Sequence, residues 1–113
     1  MQCSAQIEAD VAILHLQGRL DAASVSEFRE LAHGQLRAGH TKMVLDFSQI
    51  EKVDGQALAG IVSFYRRLTV EHKGRMAISG LNPELRLFLD RTSLSRVIPI
   101  SYDWKDAVRE VRG

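Results

Sequence analysis

The stretch VLDFSQIEKVDGQAL, residues 44–58, places a strand pattern, a turn and a helix start in direct succession. Residues 42–47 form a short apolar run with strand character, which predicts a buried strand. Asp54 is a preferred N-cap residue, and an apolar helical pattern follows it. A helix that begins at Asp54 directs free backbone N–H groups and its positive dipole end toward residues 54–57. This turn is therefore the first candidate for a functional edge.

Two strands are predicted upstream of this stretch, joined as a hairpin. Apolar and polar residues alternate over Val11–Leu16, and Ile7 lies in the segment before them. Alternation is typical of a strand with one buried face, and a turn near Ala9–Asp10 joins the pair. Gly18 is expected to end the second strand.

A helix is predicted between this hairpin and the central strand. Ser24 followed by Glu27 has the spacing of a capping box, in which each side chain satisfies a free backbone donor of the first helical turn. Gly39 is placed to end the helix. The apolar positions at helical spacing are Val25, Phe28, Leu31, Ala32 and Leu36.

Helices and strands continue to alternate after the turn at Asp54. The helix that begins there is expected to stop near residues 72–74, and Met76–Ile78 is predicted to be the next strand. The expected inner face of the helix consists of Leu58, Ile61, Val62, Tyr65 and Leu68.

The last part of the chain is predicted to add a helix, a strand and a helix. Asn82–Glu84 indicates a helix start, because a proline at the first helical position loses no needed hydrogen bond. Val97–Ile100 is predicted to be an edge strand, since Pro99 cannot donate to a ladder. An amphipathic helix over Asp103–Val111 closes the chain. Its predicted inward side chains are Trp104, Ala107, Val108 and Val111.

This order of elements predicts an α/β fold. Strand–helix–strand connections of this length favour parallel pairing with a right-handed crossover. We therefore expect a mixed, mostly parallel sheet of about five strands, with about four helices packed against it. A length of 113 residues and a hydrophobic content of 45% fit one domain over residues 1–113.

Composition restricts the classes of partner and compartment. Fifteen basic and 14 acidic residues give a net charge of +1, which provides no electrostatic reason to expect nucleic acid or an anionic membrane as partner. A single cysteine, Cys3, excludes an internal disulfide and fits a reducing compartment. No apolar run approaches the ~20 residues of a membrane span, so we expect a cytoplasmic protein without direct membrane insertion.

No pattern of catalytic or metal-binding residues is evident. Cys3 lies in a predicted strand without a local activating group, and no glycine-rich nucleotide loop occurs. The histidines are too dispersed for a metal site, which needs clustered ligands. They are His15, His33, His40 and His72. We therefore expect neither enzymatic activity nor a cofactor.

Several segments together resemble the STAS domains, the family named for sulfate transporters and anti-sigma factor antagonists. Asp54–Leu58 is similar to the family's turn, Asp-Ser/Thr-Ser/Thr-Gly-Leu, and Leu45–Ser48 is similar to its Leu-Asp-Leu-Ser strand. Gly18–Ala22 is similar to the family's Gly-x-Leu-Asp segment. Gly74, Ile78–Leu81 and Leu94 also match the family in order and spacing. The likeness covers nearly the whole chain.

The resemblance implies a non-enzymatic protein-interaction regulator, similar to an anti-sigma factor antagonist. In that family, the loop corresponding to Asp21–Ser24 and the helix start corresponding to Asp54–Leu58 form one surface. This surface binds an anti-sigma factor, commonly a serine kinase, until the kinase phosphorylates the first hydroxyl of the turn. The implied partner-binding residues are Asp21, Ser24, Asp54, Gly55, Gln56, Ala57 and Leu58.

The phosphorylated hydroxyl of the family is missing here. By position, Gly55 replaces it, Gln56 replaces the second hydroxyl and Ala57 replaces the glycine. We expect Asp21 and Asp54 to accept hydrogen bonds from the partner, Gly55 to permit close backbone approach, and Gln56 to bond the partner without phosphorylation. Leu58 is expected to anchor the helix, partly exposed at the rim.

Three interpretations of this difference stay open. The domain binds its partner constitutively, or it is regulated at another hydroxyl, for which Ser24, Ser48 and Ser63 are the candidates. Alternatively, it is a STAS-type structural subunit of a lipid-transport ATP-binding-cassette complex or another signalling complex, with an ABC ATPase as partner.

Overall fold

Five strands form one sheet in the order β1-β2-β3-β4-β5, and four α-helices pack against it. The computed structural model describes residues 1–113. Pairing is antiparallel between β1 and β2 and parallel elsewhere, which confirms the predicted α/β fold. The elements are β1 (Gln2–Glu8), β2 (Val11–Leu20), α1 (Val25–Arg37), β3 (Lys42–Val53), α2 (Gly55–Arg66), β4 (Arg75–Ser79), α3 (Pro83–Arg91), β5 (Ile100–Ser101) and α4 (Trp104–Arg112).

The predicted hairpin at the N-terminus is confirmed, but the end of β2 is not where the sequence indicated. Ala9 occupies the left-handed region with φ 55°, as a tight turn requires. Gly18 does not end β2; it lies inside the strand with φ +103°, next to an irregularity in the β2–β3 pairing. The strand continues to Leu20 because the ladder with β3 resumes after that irregularity.

The extended pairing of β2 and β3 positions the candidate edge. β3 continues well beyond the predicted end at Phe47, to Val53, because its second half pairs with the end of β2. Leu20 and Val53 are the last partners of this ladder. Because these two parallel strands end at paired residues, the residues that follow them lie side by side. Asp21 and Asp54 are therefore neighbours.

The core has two parts, one on each face of the sheet. A cluster of 19 buried residues lies on the face covered by α1 and α2, where the Phe28 and Phe64 rings meet edge to face with centroids 5.8 Å apart. Phe64 was absent from the predicted inner face of α2, whereas Val62 and Tyr65 are only half-buried. α4 covers the opposite face with the predicted residues Ala107, Val108 and Val111, and a partly buried Trp104 beside them.

Several predicted helix ends are confirmed by their capping contacts. Asn82 Oδ1 accepts the Leu85 N–H at 2.8 Å, directly before Pro83. Gly39 follows α1 with φ +94°, a conformation that favours glycine. α2 continues as a π-helical turn over Arg67–Glu71, which the sequence did not indicate.

The last strand differs from its prediction. Val97 and Ile98 belong to no strand, because their N–H groups donate to the Leu94 carbonyl at 3.0 and 2.9 Å in a local turn. Only Ile100–Ser101 pairs with β4. Its position at the edge of the sheet is as predicted.

Candidate functional site

The loop before α1 is organised by Asp21 and Ser24, although not as the predicted capping box. Ser24 occupies the N-cap position with helical φ and ψ of −104° and −12°, and its side chain makes no cap hydrogen bond. Instead, its Oγ donates to the Arg19 carbonyl at 2.8 Å and accepts the Asp21 N–H at 3.0 Å. The capping-box prediction is therefore wrong, because the hydroxyl bonds backwards into the loop.

The Asp21 carboxylate closes the same loop. Its Oδ1 accepts the N–H groups of Ala23 and Ser24 at 3.1 and 3.0 Å and lies 3.1 Å from Ser24 Oγ. The Ser24 hydroxyl, followed by these backbone donors, lowers the pKa of Asp21 below its usual value. The loop is thus held by an ionised carboxylate at neutral pH, and this contribution is lost as the pH falls through the lowered pKa.

The Asp54 carboxylate joins this loop to the start of α2. Oδ1 accepts the Ala57 N–H at 2.8 Å, which is the predicted N-cap contact. Oδ2 accepts the Ala22 N–H at 3.2 Å, and the Asp54 N–H donates to the Leu20 carbonyl at 3.1 Å. One side chain therefore connects the two segments that the sequence analysis grouped only by resemblance.

The edge formed by these contacts is open to solvent at its centre. Asp54, Gly55 and Gln56 are exposed, and nothing lies within 4 Å of the position that a Gly55 Cβ would occupy. The Gln56 side chain makes no hydrogen bond within the chain, nor does Asp21 Oδ2. We name the residues Asp21, Ala22, Asp54, Gly55 and Gln56 the docking edge; Asp21 is half-buried, and the other four are exposed.

Three predicted site residues are buried beneath the docking edge. Ala57 is fully buried, and Leu58 is 6% exposed, so Leu58 is not the partly exposed rim residue that we expected. The helical spacing places Leu58 on the inner face of α2. Ser24 is also buried, which separates these three residues from the accessible part of the site.

The two other candidate hydroxyls are accessible and lie apart from the docking edge. Ser48 is exposed on β3, and its N–H donates to Asp46 Oδ1 at 3.0 Å. Ser63 is exposed on α2, two helical turns beyond Gly55. Neither hydroxyl makes a hydrogen bond with the Asp21 loop.

Sequence reasoning missed a partly buried hydrogen bond between His15 and Asp46, in the first half of β3. His15 Nδ1 lies 2.6 Å from Asp46 Oδ2, and His15 Nε2 lies 2.8 Å from Gln6 Oε1. These contacts connect β1, β2 and β3 beside Asp46–Ser79, the last residue pair between β3 and β4. The alternation of β2 placed His15 on one face, but no signal in the sequence paired it with Asp46.

The cysteine and the other possible metal-ligating side chains form no further candidate site. Burial raises the pKa of the Cys3 thiol, and Glu27 acts in the same direction. No group of three His, Cys, Asp or Glu residues is arranged to hold a metal ion. None of the helices combines the length and apolar character needed to cross a membrane.

Comparison with known proteins places this architecture in a family. The family profile of the STAS domain matches residues 2–107. A protein of Thermotoga maritima, proposed to be an anti-sigma factor antagonist, is 26% identical, with a TM-score of 0.89 over 98% of this chain and 95% of that one. No curated protein sequence gives a significant match.

More distant solved structures share the fold. An anti-sigma factor antagonist from Mycobacterium paratuberculosis is 18% identical, with a TM-score of 0.88 over 99% of this chain and 94% of that one. The Bacillus cell fate determinant SpoIIAA in its phosphorylated form is 16% identical, with a TM-score of 0.72 over 96% and 98% of the two chains. The family profile spans nearly the whole sequence, and the chain therefore belongs to the STAS domain family.

Proposed function

We propose that this STAS domain is a non-enzymatic regulator in the cytoplasm, an anti-sigma factor antagonist that binds an anti-sigma factor of the serine-kinase type. The observation that carries the proposal is the Asp54 carboxylate, which holds the Ala22 and Ala57 N–H groups at 3.2 and 2.8 Å. This contact makes one continuous edge from two segments that are distant in the sequence. A preformed edge loses little conformational entropy when a partner docks.

The polar groups of the docking edge suit a protein partner. Asp21 Oδ2 and the Gln56 amide are unused within the chain, so they supply acceptors and a donor to the partner. Gly55 adds no side chain, which lets a partner backbone approach the first turn of α2. We expected the Asp54 carboxylate to accept hydrogen bonds from the partner. Both of its oxygens instead accept backbone N–H groups within the chain, so Asp54 holds the edge together.

The same edge lacks a group that a kinase can modify. Gly55 stands at the position that the family phosphorylates, and it has no oxygen to accept a phosphoryl group. Ala22, Asp54 and Gln56 beside it have no hydroxyl either. A phosphate of about −2 charge next to Asp21 and Asp54 would repel a partner, and this chain has no means of acquiring it there. We therefore propose constitutive binding.

Incubation with the captured partner kinase and ATP labelled in its γ-phosphate should leave residues 54–58 unlabelled. The Gly55→Ser variant should become labelled at residue 55, because its side chain lies at the exposed start of α2. No atom lies within 4 Å of the position of its Cβ. Phosphopeptide mapping by mass spectrometry measures both results. Gly55→Ala is the matched control, since it adds a Cβ without an oxygen.

Each alternative interpretation has its own result in this experiment. Labelling of the native protein at Ser24, Ser48 or Ser63 would contradict constitutive binding and identify regulation at another hydroxyl. Recovery of an ABC ATPase in place of an anti-sigma factor would contradict the proposed partner and support the structural-subunit function.

A further inference from the structure

The two edges of the sheet differ in how well they are protected from pairing with another strand. β5 forms one edge with only two residues, directly after Pro99. β1 forms the other edge with seven residues, Gln2–Glu8. A very short strand beside a proline offers almost no ladder, whereas a long free strand is a template for another strand. β1 is therefore the edge at which the sheet can be extended.

β1 has few of the features by which edge strands avoid such pairing. It contains no proline, lysine, arginine or glycine, and its one charged residue is Glu8 at its end. All seven of its residues pair with β2 in one unbroken register, so no bulge bends the strand away. Outside this ladder, the β1 backbone makes no hydrogen bond within the chain. Since only alternate residues direct their N–H and C=O groups toward β2, the groups of the others point outward and are free.

One face of β1 carries an apolar row out to this free edge. The side chains of the row lie opposite core residues of β2, in the pairs Cys3–Leu16, Ala5–Leu14 and Ile7–Ala12. Ala5 is exposed and Ile7 is 47% exposed, so the row continues the core of the α1 face without a cover. A further strand beside β1 would remove this apolar surface from water.

A second copy of β1 matches the strand in one antiparallel register. When Gln2 faces Glu8 of the other copy, all seven residues are paired and Ala5 faces itself, whereas any other antiparallel register leaves residues unpaired. Cys3 then faces Ile7 on the apolar side. On the polar side Ser4 faces Gln6, and the two Glu8 carboxylates lie at opposite ends of the ladder. This register therefore joins apolar to apolar and polar to polar side chains, without a pair of like charges.

We propose that two copies of this chain associate through antiparallel pairing of β1 with β1, which joins their five-stranded sheets into one continuous sheet. The self-complementary register identifies a second copy as the occupant of the edge. The arrangement has two-fold symmetry, so every contact occurs twice. No residue of the docking edge lies on β1, and the inference goes beyond the proposed function without depending on it.

A disulfide tests the register directly, because Cys3 is the only cysteine. In the Ile7→Cys variant, the new thiol should face Cys3 of the other copy at the ~4.5–5.5 Å Cα separation of paired antiparallel residues, which a disulfide spans. Oxidation should convert most of this variant into dimers that join Cys3 to position 7, as seen on non-reducing gels and by peptide mass spectrometry. Burial raises the pKa of the Cys3 thiol, so alkaline buffer is needed to form the reactive thiolate.

Glu8→Cys is the matched control for this variant. Its thiol is one residue away and also exposed, but it lies on the opposite face of the strand from Cys3 of the other copy, so it should form no disulfide. The native protein should form none either. Its two Cys3 residues would lie four positions apart, about 14 Å along the paired strands, which a disulfide cannot span.

Sedimentation measures the association without a cross-link. The average mass of the native protein should rise from that of one chain to that of two as its concentration increases. Gln2→Lys should tighten the dimer and Gln2→Glu should weaken it, each by about 5-fold, because residue 2 faces Glu8 twice in the dimer. Gln2 is exposed in the single chain, so neither substitution disturbs the core.

Three results would overturn the inference: a native protein that stays a single chain at every concentration, equal cross-linking of Ile7→Cys and Glu8→Cys, or equal dimer affinity of the two Gln2 variants. None of these measurements includes an anti-sigma factor, so their failure leaves the proposed function as it stands. Failure of the native protein to capture an anti-sigma factor would in turn contradict the proposed function and leave the β1 pairing as it stands.

Discussion

Replacing Gly74 by alanine should lower the free energy of unfolding by about 3 kcal/mol or more. A Cβ at this position would lie 2.3 Å from the Thr41 carbonyl oxygen and 2.6 Å from Leu68 Cδ1. The Thr41 carbonyl cannot move away without weakening a hydrogen bond, because it accepts the Arg75 N–H at 2.9 Å. This hydrogen bond fixes the start of β4 beside β3. The backbone itself would have to move.

Gly34→Ala is the matched control for this substitution. Gly34 lies inside α1, and the nearest atom to its virtual Cβ is Arg37 Nη2 at 3.9 Å, an ordinary contact distance. The variant should gain up to about 1 kcal/mol, since alanine has the higher helix propensity. Urea denaturation followed by circular dichroism measures both variants. A Gly74→Ala protein as stable as the native one would contradict the packing at β4.

Replacing Asp46 by alanine should destabilise the protein by about 3 kcal/mol, because it removes a nearly buried carboxylate that accepts two hydrogen bonds. Asp46 is 7% exposed, its Oδ2 lies 2.6 Å from His15 Nδ1, and its Oδ1 accepts the Ser48 N–H at 3.0 Å. The alanine variant leaves the His15 ring nitrogen on β2 and the Ser48 N–H on β3 without this partner. Asp46→Asn should lose less, because the amide oxygen still accepts one of these hydrogen bonds.

The exposed carboxylate of Asp10 provides the comparison. It pairs with Lys42 at 2.8 Å and with Arg112 at 3.1 Å on the surface, where solvent screens both contacts. Asp10→Ala should therefore change stability much less than Asp46→Ala in the same denaturation experiment. Equal losses in the two variants would show that burial does not decide the strength of these contacts.

The sequence predicted the fold class and most elements because those depend on local signals. The N-caps at Asp54 and Asn82 and the glycine after α1 were identified correctly, since each acts on its own helix end. The length of β3 was underestimated because its second half contains exposed polar residues and is held by pairing with β2. Strand pairing across 32 residues has no local signature.

The structure brings the Asp21 loop and the Asp54 turn into contact, but the contacts within this candidate site were not foreseen. Ser24 has the spacing of a capping box, yet the Arg19 carbonyl competes successfully for its hydroxyl. The hydrogen bond from Ala22 to Asp54 exists only because β2 and β3 end in register. Leu58 was placed at the rim although the helical period of α2 turns it inward. Contacts outside the helix decided the first two cases, whereas the helical period of α2 decided the third.

The docking edge is the central element of the proposed function, and its lack of a phosphorylatable group has a direct consequence for partner release. In the native protein, ATP should not dissociate a bound anti-sigma factor, because Gly55 cannot receive phosphate. In the Gly55→Ser variant, the same kinase partner should modify residue 55 and be released by the added negative charge.

The most direct measurement is therefore the fraction of captured anti-sigma factor that stays bound when ATP is added to the immobilised protein. We predict full retention on the native protein and on Gly55→Ala, and ATP-dependent release from Gly55→Ser. Release from the native protein at the same rate as from Gly55→Ser would contradict a docking edge that binds constitutively.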